Sequence, residues 1–235
     1  IRAFSSACSI LSMRQWSAAQ PGRATAISSR FAGKACYGSR MFDDADFVPA
    51  ITRAGIVTRL EPLIVDCSAI LDLGSATGAS GRLLRKRFRR AHVVALDLNR
   101  TMLEQARSSK AWFARSSFVQ GDATQLPFAS ESFDVIVANQ LLPLIPEPGS
   151  LFAEVARVLR KGGLFVFATL GPGVQNLGDG LMRAGLKDPV LDVDRLAGPD
   201  SPAELELVYG HCWGDGPPKD PAVTHVDANR IPLRR

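Results

Sequence analysis

The chain has 235 residues, 46% of them hydrophobic and 22% charged, with a formal net charge of +5. This composition is typical of a soluble globular protein with one domain, or one domain with tails. No apolar run approaches the ~20 residues that a membrane-spanning helix needs. The four cysteines lie far apart and form no C-x-x-C pair, which argues against a metal site or a disulfide framework and fits a reducing compartment.

The positive charge is concentrated at the start of the chain. Residues 1–40 contain six Lys or Arg, eight Ser and no acidic residue, so the remainder holds 22 of the 28 basic residues against all 23 acidic ones. An Arg-rich, Ser-rich and acid-free extension is typical of an organellar transit peptide. The sequence therefore predicts a mitochondrial-matrix protein, with a plastid as the alternative. A basic tail without a targeting role remains open.

Helical and strand-like segments alternate after this extension, in a domain that we expect over residues 41–214. Apolar residues at helical spacing predict a first helix over 49–61, which Pro62 ends. Strands are then predicted over 69–73, 93–96, 118–120, 133–138 and 164–169, and helices over 78–88, 101–108 and 151–159. Asn99 is a candidate N-cap of the second of these helices, and Lys161-Gly162-Gly163 is expected to end the third. The alternation predicts a parallel sheet with helices on both faces.

The residues that follow each strand are the candidates for a site, because ligands of such sheets bind beyond the carboxyl ends of the strands. The first strand leads into a Gly-rich turn, residues 74–78, whose backbone can approach a ligand closely. Asp97 follows the second strand, where an acid binds ribose hydroxyls in nucleoside-binding α/β folds. Gly121-Asp122-Ala123 follows the third strand and Asn139-Gln140-Leu141 the fourth. In combination these features indicate a nucleoside ligand.

Three of these segments, ILDLGSATGASGRLL, VVALDLNRTMLEQAR and FVQGDATQLPFASESFDVIVANQLL, resemble class I S-adenosylmethionine (SAM) methyltransferases. The L-P-F-x-x-x-S-F-D-x-I pattern and the R-V-L-R-K-G-G pattern separate them from NAD-binding Rossmann proteins. Across residues 41–232 the chain is similar to the malonyl-carrier-protein O-methyltransferases of biotin synthesis and to their mitochondrial relative, an assembly factor of complex I. The resemblance implies a Rossmann-like, seven-stranded sheet with SAM as the cofactor.

The resemblance also implies which residues contact SAM. The turn from Gly74 to Gly78 would lie under the methionine part, Asp97 would bind the ribose hydroxyls and Leu98 would pack on the adenine. The implied set of cofactor-binding residues is Asp72, Gly74, Ser75, Thr77, Gly78, Asp97, Leu98, Asp122, Ala123, Asn139 and Leu141. Of these, Asp122 would bind the adenine amino group, and the last two would line the floor near the methyl donor. Helix capping is the alternative role for Asp97 and Asp122.

The chain departs from the family pattern at several points. Ala76 replaces the central glycine of the family's G-C-G-T-G turn, and its Cβ would cost roughly 1 kcal/mol and weaken SAM binding if this position needs a positive φ. The segments that cover the substrate in the family are short here, which would leave the site wet. No catalytic base is identified, since His92, His211 and Tyr209 are interpreted as structural. A carboxylate nucleophile needs no base.

The segment GRLLRKRFRR, residues 81–90, predicts a helix with a dense basic surface. This surface is either a solvated face or a docking site for an acidic carrier protein or for RNA phosphates, although no interleaved aromatic residues support RNA. Residues 215–235 form a Pro-rich basic tail, and both tails are candidate protein-binding segments.

Two functions remain open. One is a SAM-dependent methyltransferase acting on a carboxylate or other small, possibly carrier-bound, acceptor. The other is a methyltransferase-like structural subunit or assembly factor.

Overall fold

The computed structural model describes residues 47–61, 67–109, 115–171, 176–197 and 204–215. The predictions for residues 1–40 and for the tail beyond 215 lie outside these described residues. The elements are α1 (Phe47–Leu60), β1 (Ala69–Leu73), α2 (Ala79–Arg87), β2 (His92–Asp97), α3 (Arg100–Ser108), β3 (Ser116–Gln120), β4 (Phe133–Asn139), a 3-10 turn (Leu142–Leu144), α4 (Gly149–Val158), β5 (Leu159–Leu170), α5 (Leu177–Arg183), β6 (Leu186–Ala197) and β7 (Glu204–Gly214). No helix in the described ranges is long and apolar enough to cross a membrane.

The seven strands form one sheet in the order β3-β2-β1-β4-β5-β7-β6. Strands β1 to β5 run parallel, and β7 is antiparallel to both β5 and β6. This confirms the predicted Rossmann-like, seven-stranded sheet. Chain order reverses at β1, which lies between β2 and β4, so the carboxyl ends of β1 and β4 form the crevice where such sheets bind ligands.

Apolar side chains cover both faces of the sheet because successive residues of a buried strand point to opposite sides. Along β1, Leu71 and Leu73 belong to a core cluster that includes Phe152 of α4. Ile70 belongs to a second cluster, which includes Ile56 of α1 and residues of α2. The helices therefore pack on both faces, as the sequence predicts.

Helix α1 is fixed against the antiparallel end of the sheet through Arg59. Its guanidinium donates to Asp192 and, at 3.1 Å, to Asp194, both on β6. The same guanidinium lies 3.8 Å from the centroid of the Tyr209 ring, a cation–π contact. Tyr209 is only 2% exposed and belongs to the second core cluster, so the expectation that it is a core residue is confirmed.

One predicted boundary is wrong. Lys161-Gly162-Gly163 does not end α4, because the helix ends at Val158 and these residues lie inside β5. The pairing of β4 with β5 shifts between Phe133 and Val135, which marks a bulge in the longer strand. Gly162 has φ 68°, and a Cβ on Gly163 would lie 2.9 Å from a backbone carbonyl oxygen. The glycines therefore serve a strand irregularity and not a helix cap.

Candidate functional site

The turn after β1 folds back onto the end of β2 through its backbone. The amides of Gly74 and Ser75 both donate to the carbonyl of Leu96, at 2.9 and 3.0 Å, and the amide of Gly78 donates to the carbonyl of Ser75 at 2.8 Å. Gly74 and Gly78 have φ of 69° and 77°. Ala76 lies in the same left-handed region, with φ 46°. The position where the family has its central glycine therefore does need a positive φ in this chain.

Asp72 lies under this turn and not on the site surface. It is 1% exposed, and its Oδ2 accepts the amide of Gly81 in the first turn of α2 at 2.8 Å. Burial raises the pKa of Asp72 to about 7, despite the lowering effect of the hydrogen bond from Gly81. The carboxyl group joins the end of β1 to the start of α2, and so positions the turn between them.

Asp97 holds the turn from the other side. Its Oδ2 accepts the amide of Ala76 and its Oδ1 accepts the amide of Asn99, both at 2.8 Å. A carboxylate oxygen can accept more than one hydrogen bond, so both oxygens keep acceptor capacity. Leu98, the next residue, is 70% exposed. An acid with a neighbouring apolar side chain presents complementary groups for a ribose and a base.

Asp122 follows β3 on the same edge. Its Oδ1 accepts the amide of Thr124 at 2.8 Å and the hydroxyl of the same residue at 2.7 Å. No described residue donates to its Oδ2, and the side chain is exposed. Ala123 beside it is 7% exposed and packs into the core. Asp122 is therefore held by a local turn with one carboxylate oxygen open to a ligand.

At the carboxyl end of β4, two consecutive residues have buried polar atoms without hydrogen-bond partners, and one of the two has a left-handed backbone. Asn139 Nδ2 donates to the carbonyl of Pro49 on α1 at 3.1 Å, whereas its Oδ1 is buried without a hydrogen-bond partner. Gln140 has φ 57°, and its Nε2 is likewise buried and unpaired. Leu141 packs against Gly74, where a Cβ would lie 2.9 Å from Leu141 Cδ1. Each buried polar atom left unpaired costs about 1–3 kcal/mol, which a bound ligand would recover.

Ser75, in the turn after β1, adds a third unpaired atom. Its side chain is 5% exposed and its Oγ is buried without a partner. The parallel sheet thus brings together the carboxyl ends of four strands, and with them Ser75, Asp97, Asp122 and Asn139. Their positions directly after predicted strands indicated this arrangement. Thr77 is 6% exposed beneath the turn, and its carbonyl accepts Arg82 Nη1 at 2.7 Å.

Neither described histidine lies at this edge. His92 opens β2, at the opposite edge, with its Nε2 2.9 Å from Ser117 Oγ. His211 lies within β7, opposite Val166 and Val190, and burial lowers its pKa. A lowered pKa keeps this imidazole neutral at pH 7. The position of His92 agrees with its interpretation as a structural residue.

Two contributors to the site were not identified in the sequence. Pro49 supplies the carbonyl that orients Asn139, across 90 residues of chain. Gln140 was noted only as one of three residues after a strand, and its positive φ and buried amide are visible only in the structure. Polarity directly after a buried strand was the one available signal for Gln140.

Comparison with known proteins shows what the chain is similar to. Residues 71–167 match a family model described as a methyltransferase domain. The malonyl-[acyl-carrier protein] O-methyltransferase of Laribacter hongkongensis is 35% identical over 60% of this chain and 58% of its own length. The protein of the same name from Halorhodospira halophila is 27% identical over 92% of this chain and 99% of its own. The chain thus spans a little over half the length of the first relative and nearly all of the second.

Solved structures agree on the fold. Phosphoethanolamine N-methyltransferase 2 of Haemonchus contortus, in complex with S-adenosyl-L-methionine, superposes with a TM-score of 0.59 at 16% identity, over 71% of this chain and 52% of its own. The YcgJ protein of Bacillus subtilis superposes with a TM-score of 0.57 at 14% identity, over 72% of this chain and 99% of its own. At these identities the likeness is one of fold alone.

The relatives contradict the predicted localisation. The two malonyl-[acyl-carrier protein] O-methyltransferases reported above, and further ones from Legionella pneumophila and Methylovorus, are bacterial proteins. Bacteria have neither mitochondria nor plastids, so the prediction of a mitochondrial-matrix protein, with a plastid as the alternative, is wrong. The composition of residues 1–40 led to it, because a basic, Ser-rich, acid-free segment is not unique to transit peptides. None of these relatives is named as an assembly factor, so that alternative has no support.

Proposed function

Because the chain contains a class I SAM-dependent methyltransferase domain, we propose that it transfers a methyl group from SAM to the free carboxylate of a malonyl group on a carrier protein. The acceptor is inferred from the relatives, which are malonyl-[acyl-carrier protein] O-methyltransferases. The single observation that supports SAM binding is the group formed by Asp97, Leu98 and Asp122, on neighbouring strand ends of one edge.

The residues present fit the cofactor. Asp97 would bind the ribose hydroxyls, because its two oxygens are fixed by backbone amides and retain acceptor capacity. Leu98 would pack on the adenine, and burial of this exposed side chain would contribute about 1–2 kcal/mol. The open oxygen of Asp122 would accept the adenine amino group. Ser75 Oγ and Asn139 Oδ1 offer buried polar atoms that a ligand would satisfy.

The remaining proposed contacts lie in the turn after β1 and at the end of β4. Gly74, Thr77 and Gly78 would run beneath the methionine part, with Asp72 fixing the turn from below. Ala123 and Leu141 would line the adenine and methyl-donor ends. Ala76 would be compatible with this arrangement, because its backbone has the left-handed conformation that a glycine would adopt.

The chemistry needs positioning above all. When bound, SAM supplies an electrophilic methyl group for in-line displacement. A malonyl carboxylate is ionised at neutral pH, so the chain needs no general base to activate it. The protein's contribution is then to hold donor and acceptor in line. Asn139, which Pro49 orients from α1, would line the floor near the methyl donor.

Calorimetric titration of the full chain with SAM tests the cofactor half of this proposal. We expect a micromolar Kd, weakened at least tenfold in Asp97→Asn, since about 1.4 kcal/mol of charged hydrogen bonding would be lost. Asp188→Asn is the matched control, because it removes the same charge from an exposed position on β6. Absence of heat from folded protein at millimolar SAM would refute the proposal.

A further inference from the structure

A patch of six cations lies at the amino ends of the strands, opposite the candidate site at their carboxyl ends. The proposed methyltransferase function does not use it. The patch consists of Arg85, Lys86, Arg87, Arg89, Arg90 and Arg115, and is called the basic patch below. All are exposed except Arg85, which is half-buried. Arg90 precedes β2 and Arg115 precedes β3, so the patch lies at the amino ends of these strands. The length of β2 separates it from Asp97 by about 17 Å.

No acidic residue that the structure describes forms an ion pair with this patch. The sequence contains no Asp or Glu between residues 73 and 96, nor between 105 and 121. Elsewhere in the described ranges Arg59, Arg100, Arg157, Arg160 and Arg195 form ion pairs with carboxylates. No such pair involves the six cations of the patch within the part of the chain that the structure describes.

The patch is also held in shape. Arg85 Nη1 donates to the carbonyls of Ala91 and Arg115, at 3.2 and 3.4 Å, and Arg115 Nη1 donates to the carbonyl of Arg90 at 2.8 Å. These bonds join the end of α2 to the turns before β2 and β3. Three cations of the last turn, Arg85 to Arg87, complement the helix dipole, but the others lie beyond the helix, so the dipole does not explain them.

We propose that the basic patch binds the phosphate backbone of duplex nucleic acid, independently of its sequence and of the methyltransferase function. Its chemistry favours phosphates over a protein partner, because the buried centre of a protein interface is typically apolar and poor in charged residues. The exposed large hydrophobic residues of the described ranges, Leu98, Leu144, Met182, Val190 and Val193, all lie outside it. Among the described residues, the one aromatic side chain within the patch is Phe88, which is 8% exposed and so presents no ring for stacking on an unpaired base. Five of the six cations are arginines, which bind phosphate oxygens with two donors.

Fluorescence anisotropy with the full chain and labelled 20-base-pair duplexes of mixed sequence tests the proposal. We expect DNA and RNA duplexes to bind, with a slope of log K against log salt of about −4 to −5 for some five neutralised phosphates. The variant Arg87→Glu/Arg89→Glu/Arg90→Glu should weaken binding at least tenfold. Binding of only one of the two duplexes would support the proposal for that phosphate backbone and overturn it for the other.

The matched control is Lys161→Glu/Arg183→Glu/Lys187→Glu, which changes the charge by the same amount at three exposed residues away from the patch. Equal loss of affinity in the two triple variants would overturn the proposal, because net charge alone would then explain binding. Unchanged affinity in the patch variant would also overturn the proposal. This variant keeps the basic residues of the segment 1–40, which would then account for binding. Vesicles containing anionic phospholipid form a third arm. Binding to these vesicles without binding to either duplex would assign the patch to a membrane surface and refute the proposal.

Discussion

Ala76 is the residue at which this chain departs most clearly from the family pattern, and its φ of 46° makes the cost of the departure testable. We expect Ala76→Gly to raise the free energy of unfolding by about 1 kcal/mol, because glycine adopts a positive φ without the steric penalty of a Cβ. Urea denaturation of both proteins measures the difference.

Ala156→Gly on α4 is the control for Ala76→Gly. The same substitution in the interior of a helix should lower the free energy of unfolding by about 0.5–1 kcal/mol, because glycine loses more backbone freedom there. Opposite signs for the two variants would establish that the backbone of Ala76 is strained. Destabilisation in both would show that the left-handed turn is not populated in solution.

Asp72 makes the stability of the protein depend on pH. Burial raises its pKa from the ordinary 3.8 of an aspartate to about 7 in the folded protein, so the folded state holds the proton more tightly than the unfolded state does. The contribution to stability is therefore fully present below pH 4 and is lost as the pH rises to 7, by on the order of 3–4 kcal/mol. Asp72→Asn keeps an acceptor for the amide of Gly81 but cannot ionise.

We therefore expect the free energy of unfolding of the Asp72→Asn variant to vary much less with pH than that of the parent protein between pH 4.5 and 7.5. Asp122→Asn removes an exposed carboxylate from the same edge, and should keep the parent profile. Parallel profiles for Asp72→Asn and the parent would mean that Asp72 titrates as an ordinary carboxyl group.

The residues of the candidate site could be predicted from the sequence only where their position follows from strand order. Asp97 and Asp122 come directly after buried strands, so the parallel sheet alone brings them to one edge. The contact of Asn139 with Pro49 joins segments 90 residues apart, and no local pattern predicts it. The left-handed backbone of Gln140 is likewise set by tertiary packing, since this residue type has no preference for it.

At the scale of elements, the glycines of β5 show that one local pattern fits both a helix end and a strand bulge. A Lys-Gly-Gly after an amphipathic helix predicts a C-cap, but here β5 begins immediately after α4 and the glycines allow a bulge against β4. A Cβ on Gly163 would meet the carbonyl oxygens of Arg160 and Asp134 at 2.9 and 3.0 Å. The predicted bounds of β1, β2 and β4 agree with the structure to within one residue, because these strands are short, apolar and bounded by turns.

We expect Gly163→Ala to lower the free energy of unfolding by about 1–3 kcal/mol, because two backbone oxygens must move to admit the methyl group. Gly149→Ala provides the comparison, since a Cβ at this position in the first turn of α4 has no neighbour within 4 Å. That substitution should stabilise the protein by about 0.5–1 kcal/mol. Thermal unfolding distinguishes them, and a neutral Gly163→Ala would contradict the assigned bulge.

On the scale of the whole molecule, the sheet separates two surfaces of different chemistry. At the carboxyl ends of the parallel strands lie carboxylates, unpaired amide atoms and the exposed side chain of Leu98. These groups suit a nucleoside and a small acceptor. The basic patch lies at the amino ends of β2 and β3. Because the two lie at opposite ends of the same strands, a partner on the basic patch would leave the proposed methyl-transfer site accessible.

The most direct test of the account is methyl transfer from radiolabelled SAM to a carrier protein loaded with malonyl, compared with the same carrier loaded with acetyl. The account predicts a base-labile methyl ester on the malonyl form alone, because acetyl offers no free carboxylate, and a lower rate with Asp97→Asn. Equal labelling of both carriers would show that the carboxylate is not the acceptor. Labelling of neither carrier by folded, SAM-bound protein would contradict the proposed reaction.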